Sequence, residues 1–333
     1  MKKISIIYAI TGLFALIFNS CTLHQEPDGF GEDPTEVLIS ADVNISLKLP
    51  QREDAVTTAA RAATGYSHRF VIEALGDDER VHDRREFIVP IEEGAETVML
   101  PVNMRLHARN YRILVWSDYV NVTESETVTF YNATSLTPVM PNNGYRANTE
   151  YKDAFSACGK LDLRPYKDQW QSKVNVTLDL SRPVGRYELI STDVAAFQRK
   201  LNDGTIKGGA FTARLRYGGY VATGFNVAEQ TPKNMLSFLS YNTSLNNLST
   251  TENKELRIGF DFIICQPDLT EIPVEIEIVN EKNEVVSNTA VNIPLQAGYN
   301  TTVKGRFLTA TTDGGLNIDP DYDGTVDVDL GKL

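Results

Sequence analysis

Histidine is scarce in this chain, and its four copies are scattered. His24, His68, His82 and His107 show no H-E-x-x-H or related spacing, so the sequence offers no histidine-built metal site. There is no G-x-S-x-G nucleophile elbow. Gly204, Gly208 and Gly209 miss the phosphate-loop pattern and suit a hairpin turn instead. Acidic residues are plentiful, yet none pair off as a catalytic couple, and a solvated acidic surface accounts for them. Excess positive charge is missing as well. The 32 Lys and Arg against 44 Asp and Glu leave a net charge of −12, with a pI near 4.9. That balance argues against nucleic acid and anionic lipid as partners. These absences together point away from an enzyme and from any cofactor.

Long apolar runs are nearly absent too. The one clear case, Ile4 to Phe18, follows Lys2 and Lys3 and is broken by Thr11 and Gly12. A membrane-spanning helix needs roughly twenty apolar residues, whereas an export signal needs only about 7–15. Residues 1–20 therefore read as a signal peptide. Ser20 and Cys21 close it in a way that resembles a bacterial lipobox, although Phe18 and Asn19 replace the usual Leu and small residue. In such a motif the cysteine sulfur takes a diacylglycerol and becomes the new N-terminus. Acyl chains contribute about 0.8 kcal/mol per buried methylene, so three chains on Cys21 would hold the protein durably on a membrane. Cysteine is otherwise limited to Cys158 and Cys265. Both would lie outside the cytoplasm, where a disulfide is permitted, yet each sits in an apolar stretch where buried free thiols are common.

What the chain does contain is strand pattern. Val37, Ile39, Ala41, Val43, Ile45, Leu47 and Leu49 are apolar at every odd position, with Ser40, Asp42, Asn44, Ser46 and Lys48 between them. This predicts a long strand with one buried face. The acidic stretch 21–34 precedes it as a linker. Residues 51–66, rich in Ala, Thr and Gly, follow it as an exposed, cleavable loop holding Arg61. Short strand-like runs separated by turn clusters then continue to the tail. They predict an all-β protein of two sandwich domains, over 35–167 and 168–333. One short helix is expected in the second domain, started by Asp193, with Val194, Phe197 and Leu201 on one face.

Asp319, Asp321, Asp323, Gly324 and Asp327 fit most positions of a calcium loop, but Leu330 stands where a bidentate carboxylate belongs. An acidic turn is the simpler reading, so no metal is expected. Trp116 lies inside a strand pattern and suits the core, whereas Trp170 falls at the expected domain boundary.

The stretch VNVTLDLSRPVGRYELISTDVAAF, residues 174–197, resembles the opening of the second domain in the fimbrillin family of Bacteroidota. NIPLQAGYNTTVKGRFLT, residues 292–309, is similar to that family's late hairpin, and GLNIDPDYDGTVDVDL, residues 315–330, to its tails. The resemblance implies two transthyretin-like antiparallel β-sandwiches carried to the cell surface as a lipoprotein. It also implies a subunit of pili, whose partners are other pilin subunits. An arginine-specific protease, cutting here at Arg61, would remove the strand from Val37 to Leu49, and a C-terminal strand from the next subunit would refill the groove. Ligands on host or bacterial surfaces would then be the targets of adhesion. The tail alternation Val326, Val328 and Leu330 is short beside that first strand, which leaves a tip, anchor or stand-alone role open. A second reading is a stand-alone glycan-binding surface lipoprotein on the same class of sandwich, which clustered exposed aromatics would favour.

Overall fold

The computed structural model describes residues 38–48, 65–92, 97–122, 127–142, 144–169, 171–246, 248–249 and 251–310. The signal run, Cys21, the acidic linker, Val37, Leu49, Arg61, Trp170, the calcium-like turn and the tail strand lie outside them.

Ten strands make up the first part. They are β1 (Leu38–Lys48), β2 (Tyr66–Gly76), β3 (Val81–Pro90), β4 (Thr97–His107), β5 (Asn110–Val122), β6 (Thr127–Thr129), β7 (Tyr131–Asn132), β8 (Met140–Pro141), β9 (Ala154–Asp162) and β10 (Lys173–Asp179). Two sheets stack. One has the order β10-β1-β4; the other runs β3-β2-β5, with β6 and β9 sharing the far edge of β5. The inner faces enclose a core of Ile39, Val43, Ile45, Phe70, Ile72, Tyr111, Ile113, Phe155 and their neighbours.

Nine more strands follow. They are β11 (Val184–Ser191), β12 (Phe211–Tyr217), β13 (Val221–Asn226), β14 (Thr231–Leu236), β15 (Ser240–Ser244), β16 (Leu256–Ile264), β17 (Thr270–Asn280), β18 (Val285–Leu295) and β19 (Asn300–Gly305). They form sheets β16-β11-β19 and β15-β12-β17-β18, plus a ribbon of β13 and β14. Tyr187, Leu189, Phe211, Leu215, Val274, Ile276 and Phe307 belong to the core of this part. A third cluster joins the two parts. Val71, Leu114 and Trp116, from the outer face of the β2–β5 sheet, meet Phe225, Phe260 and Phe262. The middle sheet is thus covered on both faces, which is why β2 is buried almost throughout rather than at alternate residues.

The all-β sandwich architecture stands, with three departures from expectation. The first is that the sandwiches are not antiparallel throughout, because β1–β10 and β11–β19 are parallel ladders. The second concerns Lys173–Asp179, which an expected boundary at 167/168 puts with the second domain. This strand hydrogen-bonds along β1, and Leu178 and Leu180 lie in the first core. Gly159 permits that arrangement, since a Cβ there would collide with the Leu178 side chain. The third is that β9 and β14 go unmarked in the sequence. Strand β9 (AFSACGKLD) lacks alternation because Ala154, Phe155, Ser156 and Ala157 are all buried. Strand β14 (TPKNML) is mostly exposed and has no apolar face to read.

Helix α1 (Val194–Asn202) is the expected short helix, with Val194 and Phe197 buried and Leu201 packed beside them. Asp193 precedes it but makes no side-chain cap. Its carboxylate instead accepts from the Ser191 hydroxyl, the Thr309 hydroxyl, and the backbone N–H groups of Leu308 and Thr309. Those four donors occupy the carboxylate in place of the helix N–H groups, and Asp193 becomes a clamp on the segment after β19.

Candidate functional site

The sequence singles out the first strand, and the structure gives it a central position. Strand β1 pairs antiparallel with β4 from Leu38↔His107 to Lys48↔Thr97. Along its other edge it pairs in parallel with β10 from Ser40↔Lys173 to Ser46↔Asp179. Strands β4 and β10 have no ladder with each other, so β1 is what makes the three a sheet.

The side chains alternate as the pattern demands. Ile39, Ala41, Val43, Ile45 and Leu47 are each 0% exposed and point into the first core. Ser40, Asp42 and Asn44 stand on the opposite, half-open face. There Asn103 on β4 donates to the Ser40 hydroxyl at 2.7 Å and to Asp42 Oδ1 at 2.5 Å. The walls of the groove come from β4 and β10: Val102, Met104 and Leu106 on one side, Leu178 with Val174 and Val176 on the other. The groove walls carry the same alternation as β1, but nothing local in either sequence names the strand between them. Val37, Leu49 and Arg61 lie outside the described residues, so the structure places five of the seven strand positions and neither end.

Cys158 and Cys265 are both free. Burial pushes the Cys265 thiol up to about 12, against a weaker pull from the Gly185 backbone. The thiolate is the reactive form, so Cys265 should stay unalkylated by iodoacetamide at pH 8 until the protein is denatured. Peptide mass spectrometry checks this, and native labelling of Cys265 would contradict it.

Buried charge collects where the two parts meet. Arg69 clamps Asp118 with bonds of 2.9 and 2.6 Å, and Arg182 does the same to Asp153. Arg186 reaches Glu150 at 2.9 Å. Lys152 Nζ reaches both oxygens of Asp261 at 2.8 and 3.0 Å. Asp261 also accepts from the hydroxyls of Tyr145 and Tyr217, while Tyr187 joins Tyr217 and Tyr241. Burial, reinforced by the Asp261 charge, holds these four phenols well above their usual range. Burial also lowers the Lys152 pKa, against the attraction of Asp261. Apart from Arg186 Nε, which is buried without a hydrogen-bond partner, these groups are paired with one another, and among the described residues they present no open nucleophile or acid–base couple. Among the described residues, no three His, Cys, Asp or Glu side chains gather to hold a metal.

The model of DUF6562, a family of unknown function, matches residues 34–330. No curated protein matches the chain. Solved structures from Bacteroidota match the chain at low identity. A candidate cell adhesion protein of Bacteroides eggerthii is 12% identical, with 89% of this chain and 96% of that one covered and a TM-score of 0.46. A candidate adhesin of Bacteroides ovatus is 11% identical, with 92% and 98% covered and a TM-score of 0.45. The fimbrial anchor protein Mfa2 of Porphyromonas gingivalis is 10% identical, with 80% and 91% covered and a TM-score of 0.43.

Proposed function

We propose, for a chain that belongs to the DUF6562 family of unknown function, the role of a fimbrillin-like surface lipoprotein. It is a structural or adhesive subunit of pili, built by strand exchange after its first strand is removed. It is not an enzyme. Lipid on Cys21 holds it in the outer membrane at the cell surface before assembly, and its partners are other pilin subunits. The boundary between its two sandwiches falls at Arg182–Pro183, after β10.

One observation carries this reading. Among the described residues, β1 alone joins β4 to β10, and it fills the first core with five fully buried side chains. Residues 49–64, which hold Arg61, connect it to β2. A strand placed in this way can be freed by a single cut in that connection. Its loss would leave a groove with hydrogen-bonding edges on both sides and apolar pockets at every second residue, which is the geometry that accepts a strand from another chain.

The test has two arms. Cys21→Ala should shift the protein out of the membrane fraction and remove its acylation. Treatment of the purified chain with an arginine-specific endoprotease should cut at Arg61 and lead to oligomers that resist dilution. A cleaved product that stays monomeric and binds no tail peptide from a pilin subunit would overturn assembly by strand exchange.

A further inference from the structure

Strands β12 and β15 form one ladder, and the same two chain segments continue as the β13–β14 ribbon. The ladder turns a corner where Gly218–Tyr220 passes Ser237–Leu239. Tyr217 N–H bonds the Leu239 carbonyl at 2.9 Å on one side of the corner, and Val221 pairs with Leu236 on the other. One strand bends at two glycines. The other bends at Phe238, which sits in the left-handed region at φ 59°. A bulky residue there is strained by about 1–3 kcal/mol, and glycine would adopt the same backbone freely.

The Phe238 ring gives the fold nothing in return, since the residue is 95% exposed. Tyr220, across the corner, is 71% exposed. Between the two segments lies an open cleft of roughly 550 Å³, lined also by Arg216, Ser237, Ser240 and Glu275. That size is within the range of small-molecule sites. Arg216 faces Glu275 at 3.8 Å and Glu277 at 3.3 Å, so the cleft carries no excess positive charge.

We propose that this corner is a binding site for neutral glycan chains. A pyranose has an apolar C–H face and a rim of hydroxyls. Exposed aromatic rings match the face, while a guanidinium, a carboxylate and two serine hydroxyls supply donors and acceptors for the rim. The paired carboxylates disfavour anionic sugars. A protein strand is a poorer occupant. The free edge of β14 carries Pro232 and Lys233 and is kinked by Asn234 at φ 54°, devices that block edge pairing. The site shares no residue with the β1 groove, so it stands or falls apart from strand exchange.

Affinity electrophoresis of the full chain through gels containing dextran, mannan or xylan tests the site. At least one polysaccharide should retard the protein. Phe238→Ala and Tyr220→Ala should each weaken that retardation tenfold or more. Phe238→Gly should abolish it while the melting temperature holds or rises, which separates lost binding from lost folding. Migration unaffected by all three polysaccharides, or retardation that survives the Phe238→Ala/Tyr220→Ala double variant, would overturn the proposal. So would self-association that Phe238→Ala removes in a protein no polysaccharide retards, since the patch would then be a protein contact.

Discussion

Ile45→Asp should unfold the first sandwich, whereas Asn44→Thr, one residue away on the same strand, should leave it standing. Ile45 is fully buried in the first core, opposite Leu100 on β4 and Leu178 on β10. An aspartate there loses the transfer energy of the side chain and buries a carboxylate with no cation placed to meet it. Each effect costs a few kcal/mol, so a total beyond about 4 kcal/mol is expected. Asn44 stands on the half-open face, where substitutions usually stay within about 0.5 kcal/mol. Urea titration of both variants measures the contrast. Similar midpoints for the two would mean that β1 is not seated by its alternation.

The same arithmetic sets the consequence of losing the whole strand. Ile39, Val43, Ile45 and Leu47 at roughly 1.5–3 kcal/mol each, with a smaller share from Ala41, are worth about 7–13 kcal/mol as an upper bound. A domain is typically stable by only about 5–15 kcal/mol. A first sandwich without β1 therefore has little or no stability of its own, and a replacement strand would be a condition of folding.

Strand β1 was legible because one of its faces is buried and the other is partly open. Alternation survives only under those conditions, and β12 and β17 are readable for the same reason. Where a sheet is covered twice the signal fades. Strand β9 looks like a connection in sequence, yet it packs against β5 with both faces occupied. In sequence, Leu236–Tyr241 reads as one strand-like run, yet it spans the corner from the end of β14 to the start of β15, because Phe238 breaks no local rule except through its φ. Asp193 was correctly placed at the start of a helix, but apart from the Ser191 hydroxyl its bonds come from Leu308 and Thr309, more than a hundred positions away. The charged seam was illegible for that reason. Lys152 and Asp261 are 109 residues apart, and only the fold brings them together.

That pair sets the second large effect. Asp261→Asn should destabilise the protein by about 3–5 kcal/mol, because it leaves Lys152 buried without its counter-charge. Asp261 is 0% exposed inside the second part, and Lys152 enters from the turn just before β9. Lys152→Met, in contrast, leaves Asp261 with the hydroxyls of Tyr145 and Tyr217, so its cost should be smaller. The double variant should be more stable than Asp261→Asn alone, since no unpaired charge remains to bury. The pH dependence has a definite sign. Burial lowers the Lys152 pKa in the folded state, whereas the unfolded value is near 10.4. Between the two values the unfolded chain binds more protons, so stability rises with pH across that window and falls back below it. Removing Asp261 lowers the folded value further and extends the window downward. Asp261→Asn should therefore gain stability from pH 7 to pH 9 more steeply than the unsubstituted protein, by urea titration at each pH. Equal slopes would mean that Lys152 is not held buried by Asp261, and the seam would then rest on the aromatic cluster of Trp116, Phe225 and Phe262 and on the Arg182–Asp153 and Arg186–Glu150 pairs.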